Sequence, residues 1–282
     1  MFKIQILNIL TRMLAIRNGR LLNTGPAAGA LALLLAWPAG LAAQNTGPNP
    51  RAAQPQRPTV ATHAGTVTRG WLEIEAGTEF DRYSGGSRGA VAPVLFKFGL
   101  APRGQLEVAA PIVSPPGVDT TGVGDFSIGL KWRLAEAAPI VNDFAILPSL
   151  KAPTGSSTVT TDTTDLGVLF ISSRAVGSVA VDLNFGYTHR SGDGSVAPQH
   201  ATVWTASFGG PARGAIGWVA ELYGYPGTSG PSGADSTVAL LVGPTLRVRD
   251  WLILDVGLIG ALTGPQPTAV YLGATYNVGR VF

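Results

Sequence analysis

Residues 125–134, DFSIGLKWRL, alternate without a break. Phe126, Ile128, Leu130, Trp132 and Leu134 are apolar, while Asp125, Ser127, Gly129, Lys131 and Arg133 are charged, polar or small. A period of two places the first set on one face of a β-strand and the second on the other. The same pattern recurs at 71–80, WLEIEAGTEF, where Leu72, Ile74, Ala76 and Phe80 oppose Glu73, Glu75, Gly77 and Glu79. It recurs again at 179–188, VAVDLNFGYT. Scanning outward from these three segments gives candidate strands over 70–81, 89–99, 104–113, 124–134, 142–152, 165–174, 178–189, 201–209, 213–224, 236–248, 251–262 and 268–282. Pro148 and Pro244 weaken two of them, because proline cannot donate to a ladder.

The connections between these segments alternate in length. YSGGSRG (83–89), SPPGVDTTGV (114–123), PTGSSTVTTDTT (153–164), RSGDGSVAPQH (190–200) and YPGTSGPSGAD (225–235) are long. LAPR (100–103), AVG (175–177), GPA (210–212) and the Arg249–Asp250 turn are short, and AEAAPIV (135–141) and TGPQP (263–267) complete the series. A soluble sandwich has no reason to lengthen every second connection, whereas an outer-membrane barrel has short periplasmic turns and longer outer loops. Strands of about ten residues with one apolar face match the length of a tilted spanning strand. The expected fold is therefore all-β: a transmembrane antiparallel up-and-down β-barrel of about 12 strands over residues 69–282, in the outer membrane of a Gram-negative cell. Composition agrees, with 45% hydrophobic residues, only 13% charged ones and 37 glycines. Trp71, Trp132, Trp204, Trp218, Trp251, Tyr276 and Phe282 suit interfacial girdles. A secreted soluble β-protein would share the alternation, and solubility without detergent would distinguish it.

Ahead of the barrel, AAGALALLLAWPAGLAA (27–43) follows the basic stretch Arg12–Arg20 and ends in small residues. That is the layout of a secretory signal peptide, expected over 1–43. Residues 44–68 carry four prolines and no apolar period, so they read as a disordered periplasmic lead segment. The formal net charge of +3 is a property of the leader. Lys3, Arg12, Arg17 and Arg20 lie in it, and taking those four from the 20 basic residues leaves 16 against 17 acidic ones, a net of −1. No clustered positive charge remains for a nucleic-acid partner.

With the apolar faces toward lipid, the lumen-lining set is Glu73, Glu75, Glu79, Lys97, Glu107, Asp125, Lys131, Arg133, Asp182, Glu221, Arg247 and Asp255. Both signs occur. Such a set either steers solutes through water or pairs across strands and fills the lumen, as Glu107 can with Lys131 or Arg133. Without cysteine there is no thiolate site. His63 stands without nearby ligands, and Asp162 and Asp165 in the Thr-rich loop 154–165 lack calcium-cage spacing, so that loop reads as solvated. No metal or other cofactor is expected. An enzymatic reading would need a serine and a histidine together on the wall, with His189 near Ser191 the one pose available. No Gly-x-Ser-x-Gly elbow supports it.

GVGDFSIGLKWRL (122–134), LPSLKAPTG (147–155) and DLNFGYTH (182–189) are each a strand with its flanking turn. On these motifs residues 70–282 resemble the outer-membrane transporter family of the phenol-degradation (meta-pathway) type. The resemblance implies a channel or transporter for aromatic or other hydrophobic small molecules. Its partners would be a small-molecule solute, outer-membrane lipid and the assembly machinery, the last through a C-terminal strand ending in Phe282. A closed structural or adhesive barrel is the alternative, with the lipid hydrolase behind it.

Overall fold

The computed structural model describes residues 49–282, so the signal-peptide expectation lies outside the described residues. The strands are β1 (Trp71–Arg82), β2 (Arg88–Ala101), β3 (Gly104–Ser114), β4 (Gly122–Val123), β5 (Ser127–Ala138), β6 (Asn142–Lys151) and β7 (Asp165–Val176). They continue as β8 (Val179–Arg190), β9 (His200–Arg213), β10 (Ile216–Tyr225), β11 (Thr237–Arg249), β12 (Leu252–Thr263) and β13 (Thr268–Arg280). All pairings are antiparallel, and β1 bonds both β2 and β13. With β2 also on β3 and β3 on β5, the sheet closes. Twelve strands make the wall, and the two-residue β4 is an addition on a loop.

One end carries the short turns 102–103, 139–141, 177–178, 214–215 and 250–251. Gly177 and Gly214 have φ of 60° and 58°, which two-residue hairpins need and side-chain-bearing residues resist. The other end carries the long connections 115–126, 152–164, 191–199 and 226–236. Several strand ends shift by a few residues from the sequence expectation, most clearly at two connections. The GPA segment lies inside β9, where Pro211 pairs with Gly217, and the turn falls later, at 214–215. Connection 135–141 shrinks to three residues because β5 runs on to Ala138 through bulges. Pro148 and Pro244 keep their strand positions, opposite Val168 and Trp218.

The alternation sorts outside from inside. Phe96, Ile128, Phe170, Phe185, Leu258 and Leu272 are exposed on the outer face, where a hydrocarbon wall requires apolar surface. Their neighbours one residue along are buried inside.

The wall is uneven in one place. β7 and β8 pair over twelve positions from Asp165↔Arg190 to Val176↔Val179, but β3 pairs β5 only from Gly104↔Trp132 to Ala109↔Ser127. Beyond Ala109, β3 meets only β4 on that side, through Ile112↔Val123 and Val113↔Gly122.

The largest departure concerns the lead segment. Expected to be solvated and disordered, residues 53–67 lie inside the barrel: Val60, Ala61, Ala64 and Val67 are buried, and Val60 and Ala64 pack into the main apolar cluster with Leu169, Leu241 and Tyr271. The segment has neither helix nor strand. What holds it is the wall.

Candidate functional site

A backbone without secondary structure must find partners for its N–H groups once it leaves water. Here inward side chains of the wall supply them. The Gln54 N–H donates to Glu73 (2.8 Å) and that of Gln56 to Glu75 (2.7 Å). Val60 and Ala61 both donate to Glu221, at 2.7 and 2.6 Å. Thr62 donates to the Asn184 amide oxygen, Ala64 to the Ser173 hydroxyl and Val67 to the Gln105 amide oxygen, each at 2.7 Å. The acceptors sit successively on β1, β10, β8, β7 and β3, which follows the order of strands around the barrel. The segment therefore makes one circuit of the inner wall.

Carbonyls and side chains of the segment are held as well. Lys97 donates to the Gln54 carbonyl (2.6 Å) and lies 2.5 Å from the Glu73 carboxylate, with Glu75 also bonded to its ammonium. Lys131 donates to the His63 carbonyl (3.1 Å) and stands 3.6 Å from Glu107. Arg57 pairs with Asp255 (3.2 Å) and donates to the Leu272 carbonyl (3.2 Å). Gly77 and Gly273, directly opposite each other on β1 and β13, leave the slot its guanidinium occupies; a Cβ at either would collide with it. At the short-turn rim, Ala53 donates to the Asp250 carbonyl (2.8 Å), and Arg51 lies 4.8 Å over the Trp251 ring. Beside the segment remains a cavity of about 110 Å³. Val91, Leu95, Leu147, Leu169 and Tyr271 give it an apolar side, and Glu75, Glu79 and Glu107 a polar one.

The mouth with the long loops has its own network. Asp125 accepts from Lys151 (2.6 Å) and from the Gly155 N–H (3.0 Å), and Thr160 also bonds it. Asp165 takes Lys151 (3.5 Å), Arg190 (3.3 Å) and the Thr163 hydroxyl (2.7 Å). In the loop 152–164, Pro153, Thr154 and 156–158 are exposed as expected, but Val159, Thr160, Thr161 and Thr163 are buried, so the second half of the loop departs from the solvated reading. Asp165 at its end and Asp125 in the neighbouring loop draw it inward over the mouth.

Of the lumen-lining set, Glu73, Glu75, Lys97, Glu107, Lys131, Arg133, Glu221 and Asp255 are buried on the inner face. Glu79 borders the cavity, and Asp182 accepts from Ser173. Asp125 belongs to the mouth network, in the loop before β5. Arg247 shares the inward phase but is exposed near the short-turn end. The anticipated Glu107–Lys131 pair is present, while Arg133 turns to Glu136 at 2.8 Å. Sequence reasoning passed over Gln105, Asn184 and Ser173, which share the inward phase but carry no charge. It also passed over Lys151 and Arg190, at strand ends. His189 faces outward, its ring 5.1 Å from that of His200, and the Ser191 hydroxyl accepts the Thr164 N–H. The two are not arranged as a base and nucleophile.

Residues 56–259 match the model of a family described as "Putative MetA-pathway of phenol degradation". No curated protein matches the sequence. Among solved structures, an outer membrane channel from Pseudomonas putida F1 is similar, with a TM-score of 0.61 at 17% identity over 76% of this chain and 97% of that one. The KdgM porin in complex with disordered oligogalacturonate superposes with a TM-score of 0.50 at 12% identity, over 72% and 98%. At such identities the likeness is one of fold.

Proposed function

Because the chain belongs to this phenol-degradation family of barrels, we propose that it is an outer-membrane channel for small solutes, held shut by its own lead segment. One observation carries the reading: the buried carboxylates and amides that would line a water-filled path are occupied by N–H groups of residues 54–67. Ions passing such a lumen meet paired groups rather than free charge. A conducting path needs the segment to shift or leave. The remaining cavity, apolar on one side and acidic on the other, suits a small molecule with an apolar body and a polar or cationic edge. Movement would be passive.

The test is single-channel recording of the whole barrel beside a variant lacking residues 49–68. The expected result is steady, larger conductance in the shortened barrel and small or brief events in the whole one. Equal conductance in the two would defeat the gate. A shortened barrel that inserts yet passes no current would defeat the channel itself and favour a closed structural barrel.

A further inference from the structure

We propose that His189 and His200 form a surface site for one divalent transition cation of the copper or zinc class, on the outward face of the barrel near the long-loop mouth. This inference is independent of the gate. The chain has three histidines, and His63 is taken into the lumen with its Nε2 3.2 Å from the Gln54 carbonyl. The other two are eleven residues apart in sequence yet face each other across β8 and β9.

The geometry suits chelation. The Arg190 N–H bonds the Gln199 carbonyl, which makes 190 and 199 a hydrogen-bonded position and places His189 and His200 at the next, non-bonded one. Side chains come closest there, with Cα atoms about 4.5 Å apart. The imidazoles are accordingly 5.1 Å apart between centroids and inclined by 35°, and small rotations about their side-chain bonds turn two ring nitrogens toward one ion. Tyr187, on the same face of β8, puts its hydroxyl 2.6 Å from Nδ1 of His200. When Nδ1–H donates to the phenol oxygen, the lone pair of Nε2 is left free and the ring is held in place. Metal-bound histidines are fixed by this kind of outer partner. Both imidazoles are exposed at the strand ends that bound loop 191–199, where water can complete the coordination. Two neutral imidazoles favour Cu(II) over the other divalent first-row ions.

The experiment is titration of the detergent-solubilised, tag-free barrel with Cu(II), followed by electron paramagnetic resonance. One copper per barrel with coupling to two nitrogens is expected. His189→Gln and His200→Gln should each lose the two-nitrogen signal and at least about tenfold in affinity, and Tyr187→Phe should weaken binding by about tenfold at unchanged stoichiometry. Heat-modifiable migration on gels checks that each variant remains a barrel; His189→Asn and His200→Asn replace any that does not. Binding of no copper by the parent overturns the proposal, as does an unchanged signal in either histidine variant. The pair would then be only an aromatic contact at the rim.

Discussion

Glu221 accepts two consecutive N–H groups, from Val60 and Ala61, with no exposure to solvent. Removing an acceptor strands its donors, at about 1–3 kcal/mol for each buried group. Glu221→Ala should therefore loosen the segment where it crosses β10. More frequent channel openings and faster proteolysis within 57–62 are the expected readouts, with Glu221→Gln intermediate because one amide oxygen remains. Wild-type gating in the alanine variant would mean that the segment is held elsewhere. Gly273→Val tests the same fixation by shape: its side chain fills the slot of Arg57 and should raise openings while leaving Asp255 in place. At this scale much was legible. Alternation gave the inward direction of Glu221, Glu73 and Lys97 directly. Their partners were not legible, because a carboxylate aimed at water and one aimed at a backbone N–H are the same letter. The glycines at 77 and 273 read as ordinary strand glycines until the register put them opposite each other.

Elements follow from period and turn chemistry, and their failures are instructive. The lead segment has no apolar period because its fixation uses main-chain donors and side-chain acceptors on strands as far along as Glu221. No local pattern records that, so a search for periodicity returns a loop. The loop 152–164 eludes a local reading for a similar reason: its threonines look solvated, yet Thr160 closes on Asp125 in another loop and Thr163 on Asp165. Strand β3 shows a third case, where a strong alternation hides a weak pairing. Only the stretch from Gly104 to Ala109 has β5 beside it. Beyond it, alternate residues still face β2, while Pro111 and Val113 face the two-residue β4, so the Val113 amide is the one that depends on it. Hydrogen exchange resolved by residue should find the Val113 amide exchanging faster than those of 104–109, which have a strand on both sides. Equal protection along β3 would show that loop 115–126 seals the gap.

For the whole molecule, the complementarity rests on main-chain N–H groups meeting wall acceptors, with one ion pair, Arg57–Asp255, beside them. The segment from 49 to 70 carries Arg51, Arg57 and Arg69 and no acidic residue, while the wall offers Glu73, Glu75, Glu221 and Asp255 to its interior. Burying these carboxylates alone would be costly, and burying the segment without acceptors equally so. Together they satisfy one another, which makes the closed state stable while leaving it held by hydrogen bonds that a shift can exchange for water. If passage requires that shift, fastening the segment should abolish it. The chain contains no cysteine, so a pair can be introduced without competing thiols. Ala64 and Ser173 are suited to this, since the Ala64 N–H lies 2.7 Å from the Ser173 hydroxyl, which brings the two residues side by side as a disulfide requires. Ala64→Cys with Ser173→Cys should conduct like the parent when reduced, fall silent on oxidation and recover with reductant, all in one bilayer recording. Persistent current through the oxidised barrel would place the path beside the fixed segment, through the cavity between Val91 and Tyr271, and the segment would then be a wall of the channel rather than its gate.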